Sequence, residues 1–201
     1  MSIEYLQIYE LYLKVITKQL DKFFEEQSPY IFCKEGCSIC CEKGEYPFTE
    51  IEIKYLMVGF SQLPQNIQMQ ILKKTQQINI AKKDAPKDKK FMHECPFLID
   101  KRCSVYNYRG LICRNHGLAF FDKDQKLCVP HCSCDGLNYA SVYDFQNGCI
   151  SKEKYEKTGF TVEPLAHNVG LEFLLNNSFT KENNMNFGEI KPLLDWLSGE
   201  P

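Results

Sequence analysis

The sequence lacks the features that mark several large classes of protein. It has no run of 18 or more apolar residues, so no membrane-spanning helix is expected. Its 24 basic and 26 acidic side chains give a net charge of -2, which argues against a nucleic-acid-binding surface. Glu4 and Glu10 interrupt the apolar N-terminal pattern, and no A-x-A cleavage site follows, so we expect no secretory signal. The expected compartment is the cytoplasm, where thiols stay reduced.

Sequence motifs of conventional catalysis are also missing. The chain has no G-x-G string for a phosphate or S-adenosylmethionine loop, and no G-x-S-x-G, H-E-x-x-H or P-loop string. Carboxylate pairs such as Glu25-Glu26 and Glu50/Glu52 are better explained by helix surfaces and helix capping than by acid–base catalysis. The sequence identifies neither a substrate nor a protein partner.

Cysteine is the one residue type in marked excess. Eleven cysteines occur in 201 residues, and an odd number cannot be paired completely in disulfides within one chain. In a reducing compartment so many cysteines most often bind metal, whereas buried apolar thiols are the simpler alternative. The distribution of the cysteines along the chain decides between these explanations, because they fall into three groups.

The first group lies in an irregular segment and has the spacing C-x3-C-x2-C-C. Four thiols within nine residues follow no apolar periodicity, so they cannot all be ordinary core residues. C-x2-C spacing lets two thiolates approach one metal. Adjacent cysteines tend to diverge, so the sequence leaves open which member of the final pair binds. The four candidate metal ligands are Cys33, Cys37, Cys40 and Cys41.

The second group, Cys95, Cys103 and Cys113, has seven and nine residues between its members. These intervals are too long for a zinc knuckle, but a hairpin and a loop could bring the thiols to the site that the first group begins. Three arginines lie among them and either lower the thiol pKa values and offset the charge of a cluster or are simply solvated. They are Arg102, Arg109 and Arg114.

The third group follows a C-x3-C-x-C pattern and is completed by a distant cysteine. Four thiols and a histidine would suit a second, zinc-binding centre, but the same thiols could be buried core residues. His116 follows Cys113 by three residues and His93 precedes Cys95 by two, so both are candidate ligands. The candidates for the second site are Cys128, Cys132, Cys134, Cys149, His116 and His131.

The first two groups together resemble the YkgJ-type cysteine-cluster family, a C-x2-C-x2-C-C domain described as zinc- or iron-chelating. The resemblance covers roughly residues 30–120. It departs from the family pattern at Gly110, where many relatives have proline, and in one extra residue between the first two cysteines. The motifs that carry it are Cys33-x3-Cys37-x2-Cys40-Cys41, Cys95-Pro96-Phe97-Leu98, Arg102-Cys103-Ser104-Val105-Tyr106, Arg109 and Cys113-Arg114.

The resemblance implies a metal-binding domain and leaves the metal open. The family includes a flagellin lysine N-methylase, which the chain resembles only through its cysteine region. The cysteines beyond Cys113 lie outside the resemblance. Cys33, Cys37 and Cys40 also match the C-x3-C-x2-C string of radical S-adenosylmethionine enzymes, but no repeated strand–helix pattern follows.

Helical periodicity is the main structural signal in the first half of the chain. A helix is predicted over residues 2–27. Thr49 and Glu52 form a capping box that predicts a helix over residues 50–60, and Pro64 predicts the first turn of another. Residues 81–90 are charged and interrupted by proline, which predicts an exposed linker. The apolar face of the first helix comprises Leu6, Tyr9, Leu13, Ile16, Leu20 and Phe23.

The second half of the chain gives weaker signals. Residues 97–99 and 103–106 flank a polar Asp100-Lys101 turn, which predicts a short hairpin. Pro164 is expected to open a helix that continues to Leu175, and a short terminal helix is predicted near residues 193–197. The predicted fold is mainly α: a small helical domain with irregular cysteine-rich loops and one short hairpin, organised around a metal centre.

The predicted organisation is a single domain over residues 1–201. It comprises an N-terminal helix (1–29), a cysteine-cluster core (30–135) and a helical C-terminal extension (136–201). The favoured function is a cytoplasmic protein with a [4Fe-4S] iron–sulfur cluster in a structural, redox or electron-transfer role, because four thiolates bind such a cluster. The alternatives are zinc, a lysine-methylase-like enzyme that uses the cluster, and a metal chaperone.

Overall fold

The computed structural model describes residues 3–86, 88 and 91–199, and helices are its main secondary structure, which confirms the predicted mainly α class. No helix in these ranges is long and apolar enough to cross a bilayer. The helices are α1 (Ile3–Glu26), α2 (Ile39–Glu42), α3 (Glu50–Ser61), α4 (Gln65–Asp84), α5 (Leu111–Asn115), α6 (Lys152–Thr158), α7 (Leu171–Leu175), α8 (Ser178–Glu182) and α9 (Leu193–Ser198). The strands are β1 (Pro47–Thr49), β2 (Leu98–Ile99), β3 (Arg102–Cys103), β4 (Phe120–Phe121), β5 (Leu127–Cys128), β6 (Tyr143–Asp144), β7 (Cys149–Ile150) and β8 (Ile190–Pro192).

The strands form antiparallel pairs: β1 with β8, β2 with β3, β4 with β5, and β6 with β7. The predicted hairpin is confirmed as β2–β3. The expectation of a single hairpin was wrong, since β4–β5 and β6–β7 are also local hairpins. Two-residue strands are too short to show the alternation of polar and apolar residues that identifies a strand in a sequence.

The chain divides into two compact units. Among the described residues, unit 1 comprises 3–35 and 114–185, and unit 2 comprises 36–86, 88, 91–113 and 186–199. The boundaries therefore fall inside the first cysteine group and directly after Cys113. That the two units fold as one domain stays a prediction.

Helix α1 supplies much of the core of unit 1. Tyr9, Leu13, Ile16 and Leu20 are all buried along the predicted apolar face, while the charged residues of the opposite face are exposed. The turn at Ser28–Tyr30 ends the helix, as expected from the proline that follows Ser28. A second apolar cluster in this unit comprises Tyr30, Ala119, Tyr139 and Val142.

The helix predicted from Pro164 to Leu175 forms only at its end, as α7. The backbone N–H of His167 donates to the Ala119 carbonyl at 2.9 Å, and its carbonyl accepts from Phe121 N–H at 3.3 Å. These bonds attach residues before α7 to β4, so the same backbone groups are not available for helical hydrogen bonds. The prediction was wrong because this pairing is long-range.

Unit 2 is built on α3, α4 and α9 with the β1–β8 pair. The capping box is present. The Thr49 hydroxyl accepts from the Glu52 N–H at the start of α3, and the Glu52 carboxylate accepts from the Thr49 N–H. The Trp196 indole N–H donates to the Phe48 carbonyl at 2.9 Å, which attaches α9 to β1. The buried core of the unit comprises Phe48, Ile53, Leu56, Ile71, Phe97, Val105 and Leu193.

Some details of α3 and α4 differ from the prediction. Helical periodicity groups Met57 with the apolar side of α3, and Leu72 and Ile80 with that of α4, which predicts that they are buried. All three are exposed, because neighbouring elements cover only one side of each helix. Helix α4 extends to Asp84, so the first residues of the predicted 81–90 linker are helical. The linker residues Lys87, Lys89 and Lys90 lie outside the described residues.

Candidate metal centre

Five cysteines of unit 2 form what we call the thiol cluster: Cys40, Cys41, Cys95, Cys103 and Cys113. Helix α2 carries the first two. The Ser38 carbonyl accepts from the Cys41 N–H at 2.7 Å, and the Ser38 hydroxyl donates to the Glu42 carboxylate at 2.6 Å. This single helical turn holds the Cys40 and Cys41 sulfur atoms 3.8 Å apart. The expectation that these adjacent side chains diverge was therefore wrong.

Cys95 is aligned with this turn by backbone hydrogen bonds. Its N–H donates to the Cys41 carbonyl at 2.7 Å, and the Gly44 N–H donates to the His93 carbonyl at 3.1 Å. The two bonds place residues 93–95 alongside residues 41–44. The Tyr46 hydroxyl adds a bond of 2.8 Å to the Cys40 carbonyl, so the backbone of α2 is fixed from two directions.

The β2–β3 hairpin positions Cys103, which pairs with Leu98. Asp100 and Lys101 have φ angles of 48° and 59°, and two left-handed residues between strands form the turn that suits a two-residue hairpin. The Ser104 N–H then donates to the Phe97 carbonyl at 2.9 Å. The turn therefore returns the chain so that Cys103 packs against the same apolar core as Cys95.

Cys113 is positioned by α5, which is attached to α3 through Glu52. The Glu52 side chain is buried, and its two oxygen atoms accept from the Leu111 N–H at 2.6 Å and from the Thr49 N–H at 2.8 Å. A Cβ atom at Gly110 would lie 2.6 Å from the Phe48 ring and 2.9 Å from a Glu52 oxygen. Glycine at this position therefore lets the chain pass close to α3 before Cys113.

Partial burial and mutual charge keep most thiols of the cluster protonated. Burial raises the pKa of Cys95 to about 12, and the charges of Cys103 and Cys40 add to this effect. Burial also raises the pKa values of Cys103 and Cys113, and Cys113 is affected further by Cys95 and Cys103. These effects show that the five thiols lie near enough to influence one another's ionisation.

Cys40 is the exception in the cluster. The hydrogen bond between the Cys40 and Cys41 thiols lowers the pKa of Cys40 to about 7 and raises that of Cys41. The positive charge of Arg109 lowers the pKa values of Cys40 and Cys103 as well. The direction of this effect agrees with a pKa-lowering role for Arg109, and that it offsets the charge of a cluster stays a prediction. Arg102 is exposed, and Arg114 belongs to unit 1, where it donates to Thr17 at 3.4 Å.

The remaining members of the first group are Cys33 and Cys37, whose role as metal ligands stays a prediction. Cys33 belongs to unit 1, where the buried Asn138 amide donates to its sulfur at 3.2 Å. Cys37 belongs to unit 2 and is exposed. Among residues 3–86, 88 and 91–199, no three histidine, cysteine or acidic side chains lie close enough to hold a single metal ion. All eleven cysteines are free of disulfides.

The residues of the predicted second site all lie in unit 1, and the turn His131–Asp135 carries three of them. The His116 and His131 rings have centroids 5.2 Å apart. Cys132 is buried. Burial raises the pKa of Tyr143, and the charges of the other three cysteines and of Asp144 add to this effect, so those thiols lie near enough to influence its ionisation. They are Cys128, Cys134 and Cys149.

The histidine pair of unit 1 gives a testable pH dependence. Burial and the charge of His131 lower the pKa of His116 from 6.5 to about 4. The unfolded chain therefore takes up this proton first, and the stabilisation from neutral His116 is present above pH 6.5 and is lost as the pH falls towards 4. We expect urea unfolding of His116→Asn to show a flatter decline across this range than the wild type. Equal slopes would contradict the assignment.

Sequence reasoning missed Glu52 and Tyr46 as parts of the site. The capping box explained Glu52 completely, so nothing in the sequence pointed to its bond with Leu111, 59 residues away. Tyr46 lies six residues from Cys40 and offers no spacing signal. Both residues act on backbone groups that carry the cysteines.

No family model, curated protein or solved structure matches the chain. The fit of a metal centre is therefore judged from the donor set alone. Five thiols reach one place from four stretches of chain, and one of them is close to ionising at neutral pH. Thiolates are the ligands that iron–sulfur clusters and zinc prefer, so the donor chemistry fits such a centre.

Proposed function

We propose that the thiol cluster of unit 2 holds a [4Fe-4S] centre in a structural, redox or electron-transfer role. The observation that carries the proposal is that five thiols from four stretches of chain lie close enough to couple electrostatically. The four stretches are α2, the residues just before β2, strand β3 and helix α5. Cys95, Cys103 and Cys113 also pack against the apolar core of unit 2, but small apolar residues of a core need not lie close enough to couple their ionisation, as these thiols do. Four thiolates bind such a cluster, which leaves one member of the adjacent pair, Cys40 or Cys41, as a non-ligand.

The electrostatics support a positively charged centre at this place. Buried thiolates need compensating positive charge. In the metal-free protein burial therefore raises the pKa values of Cys95 and Cys113, which keeps these thiols protonated. A bound metal replaces those protons. Arg109 and Lys74 add further positive charge, because their fields lower the pKa values of Cys103 and Cys95.

The spacing of the donors favours a cluster over a single ion. One tetrahedral zinc with Zn–S distances of about 2.3 Å holds its sulfur ligands about 3.8 Å apart. In the described residues only Cys40 and Cys41 are known to meet at that separation, and no third donor joins them. A four-iron cluster spreads its ligand sulfurs more widely, which suits thiols that interact without converging on one point.

Zinc is the second candidate, and the 3.8 Å separation of the Cys40 and Cys41 sulfurs favours it. The lysine-methylase-like alternative needs a cluster with three protein ligands and one open iron. The thiol cluster offers five donors, so we favour full ligation and a role without substrate binding at the metal. We further propose that the chain belongs to the YkgJ-type family and works in a reducing compartment such as the cytoplasm.

Anaerobic purification tests the proposal directly. We expect brown protein whose iron and acid-labile sulfide approach four of each per chain, with broad visible absorption that bleaches on reduction by dithionite. Colourless protein with stoichiometric zinc would establish the second candidate. Protein that contains neither metal, and takes up neither after reconstitution, would refute a metal centre.

A further inference from the structure

His93 lies two residues before Cys95 of the thiol cluster, and one nitrogen of its buried imidazole has no hydrogen-bond partner among the described residues. Only 8% of the residue is exposed. Its Nδ1 lies 2.9 Å from the Glu94 carbonyl oxygen, which can only accept, so Nδ1 carries the hydrogen. Nε2 is then an acceptor, and it is buried without a hydrogen-bond partner among the described residues. Such a nitrogen is costly unless a donor or a metal meets it.

The backbone places this nitrogen on the side of the thiol cluster. Exposure alternates along residues 91–95: His93 is buried and Phe91 and Cys95 are half-buried, whereas Met92 and Glu94 are exposed, so the side chains of Phe91, His93 and Cys95 lie on one face. The stacked Phe91 and His93 rings, 5.6 Å between centroids, agree with that alternation. Cys95 on the same face belongs to the cluster, and the backbone bonds to Cys41 and Gly44 hold the segment against α2.

We propose that His93 Nε2 is a nitrogen ligand of the metal centre held by the thiol cluster, an inference that rests on the proposed function. The bond from Nδ1 to a backbone carbonyl is the arrangement that metal-binding histidines use to fix the ring and its tautomer. A neutral imidazole in place of one thiolate reduces the negative charge around the metal. Mixed cysteine and histidine ligation occurs at both zinc and iron–sulfur centres.

Co(II) is a suitable probe, because its spectrum reports both the number and the type of ligands. The full chain would be stripped of metal under reducing, anaerobic conditions and titrated with Co(II). We expect thiolate-to-cobalt absorption together with the multiple-scattering signature of imidazole in the cobalt X-ray absorption spectrum. In His93→Gln the imidazole signature should disappear and the Co(II) affinity should fall by about tenfold or more.

His167→Gln is the matched control. His167 Nε2 is also buried without a partner among the described residues, but it lies in unit 1, so this variant should retain the wild-type spectrum. A wild-type spectrum with sulfur ligands and no imidazole would overturn the role of His93 and leave the metal centre intact. Absence of any thiolate-to-cobalt absorption in the wild type, together with no iron–sulfur absorption after reconstitution with iron and sulfide, would overturn the proposed function itself. The wild-type spectrum decides even if His93→Gln fails to fold.

Discussion

Replacing Cys113 with alanine is expected to remove most of the bound metal and to lower the melting temperature of the metal-loaded protein. Burial together with the charges of its neighbours raises the pKa of Cys113 well above its ordinary value, as expected of a thiol placed among other donors. Metal binding at a structural zinc site contributes about 10–16 kcal/mol to the free energy of folding. Loss of one of four ligands removes a large part of that stabilisation. The checks are metal content per chain and thermal unfolding.

Comparison of metal-free proteins separates ligation from packing. Removing one sulfur atom from a partly buried position costs about 1 kcal/mol through the lost contacts, with or without metal. Metal-free Cys113→Ala should therefore be nearly as stable as metal-free wild type, whereas the metal-loaded forms should differ greatly. Cys149→Ala removes an exposed thiol of unit 1, a candidate for the second, zinc-binding site, and should keep the wild-type iron content. Equal metal content in Cys113→Ala and wild type would show that Cys113 is not a ligand.

The elements that the sequence predicted well are those governed by local interactions. The Thr49–Glu52 capping box, the apolar face of α1 and the Asp100-Lys101 turn each depend on residues within one or two turns of one another. Capping, amphipathic periodicity and left-handed turn residues all act over such short distances. Local physics therefore predicted the boundaries of α1 and α3 to within a few residues.

The failures have long-range causes. The segment after Pro164 has helical periodicity, but its backbone pairs with β4, 46 residues away at the contact between His167 and Phe121. Exposed Leu72 and Ile80 complete an apolar pattern on α4 that no neighbouring element of the described chain fully covers. Periodicity identifies which side chains could be buried, whereas burial itself depends on what packs against them.

The same distinction applies to the candidate site. Cysteine spacing predicted that the second group would join the first, and the electrostatic coupling among Cys40, Cys95 and Cys113 agrees with that expectation. Spacing could not predict that Cys33, four residues before Cys37, belongs to the other unit. Neighbouring cysteines of a motif give one sequence signal even where they belong to different compact units.

The second large effect is expected at Glu52. Replacement by alanine removes the acceptor of the Leu111 N–H and of the Thr49 N–H and hydroxyl, all within 2.8 Å of the carboxylate. Each buried donor left without an acceptor costs about 1–3 kcal/mol, so the free energy of unfolding should fall by about 3 kcal/mol or more. Glu52→Gln keeps one acceptor oxygen and should lie between alanine and the wild type. Urea unfolding at neutral pH provides the measurement.

The neighbouring Glu50 supplies the control for this prediction. Its carboxylate is solvent-accessible and pairs with Lys54 one helical turn away, an interaction of about 0.5 kcal/mol. Glu50→Ala should therefore be nearly neutral, although it removes the same charge from the same helix.

Because Glu52 anchors the start of α5, its loss should also speed alkylation of Cys113 in metal-free protein, with exposed Cys149 as the internal reference. If Glu50→Ala and Glu52→Ala proved equally stable, the carboxylate of Glu52 would not be the anchor of the cysteine-bearing helix.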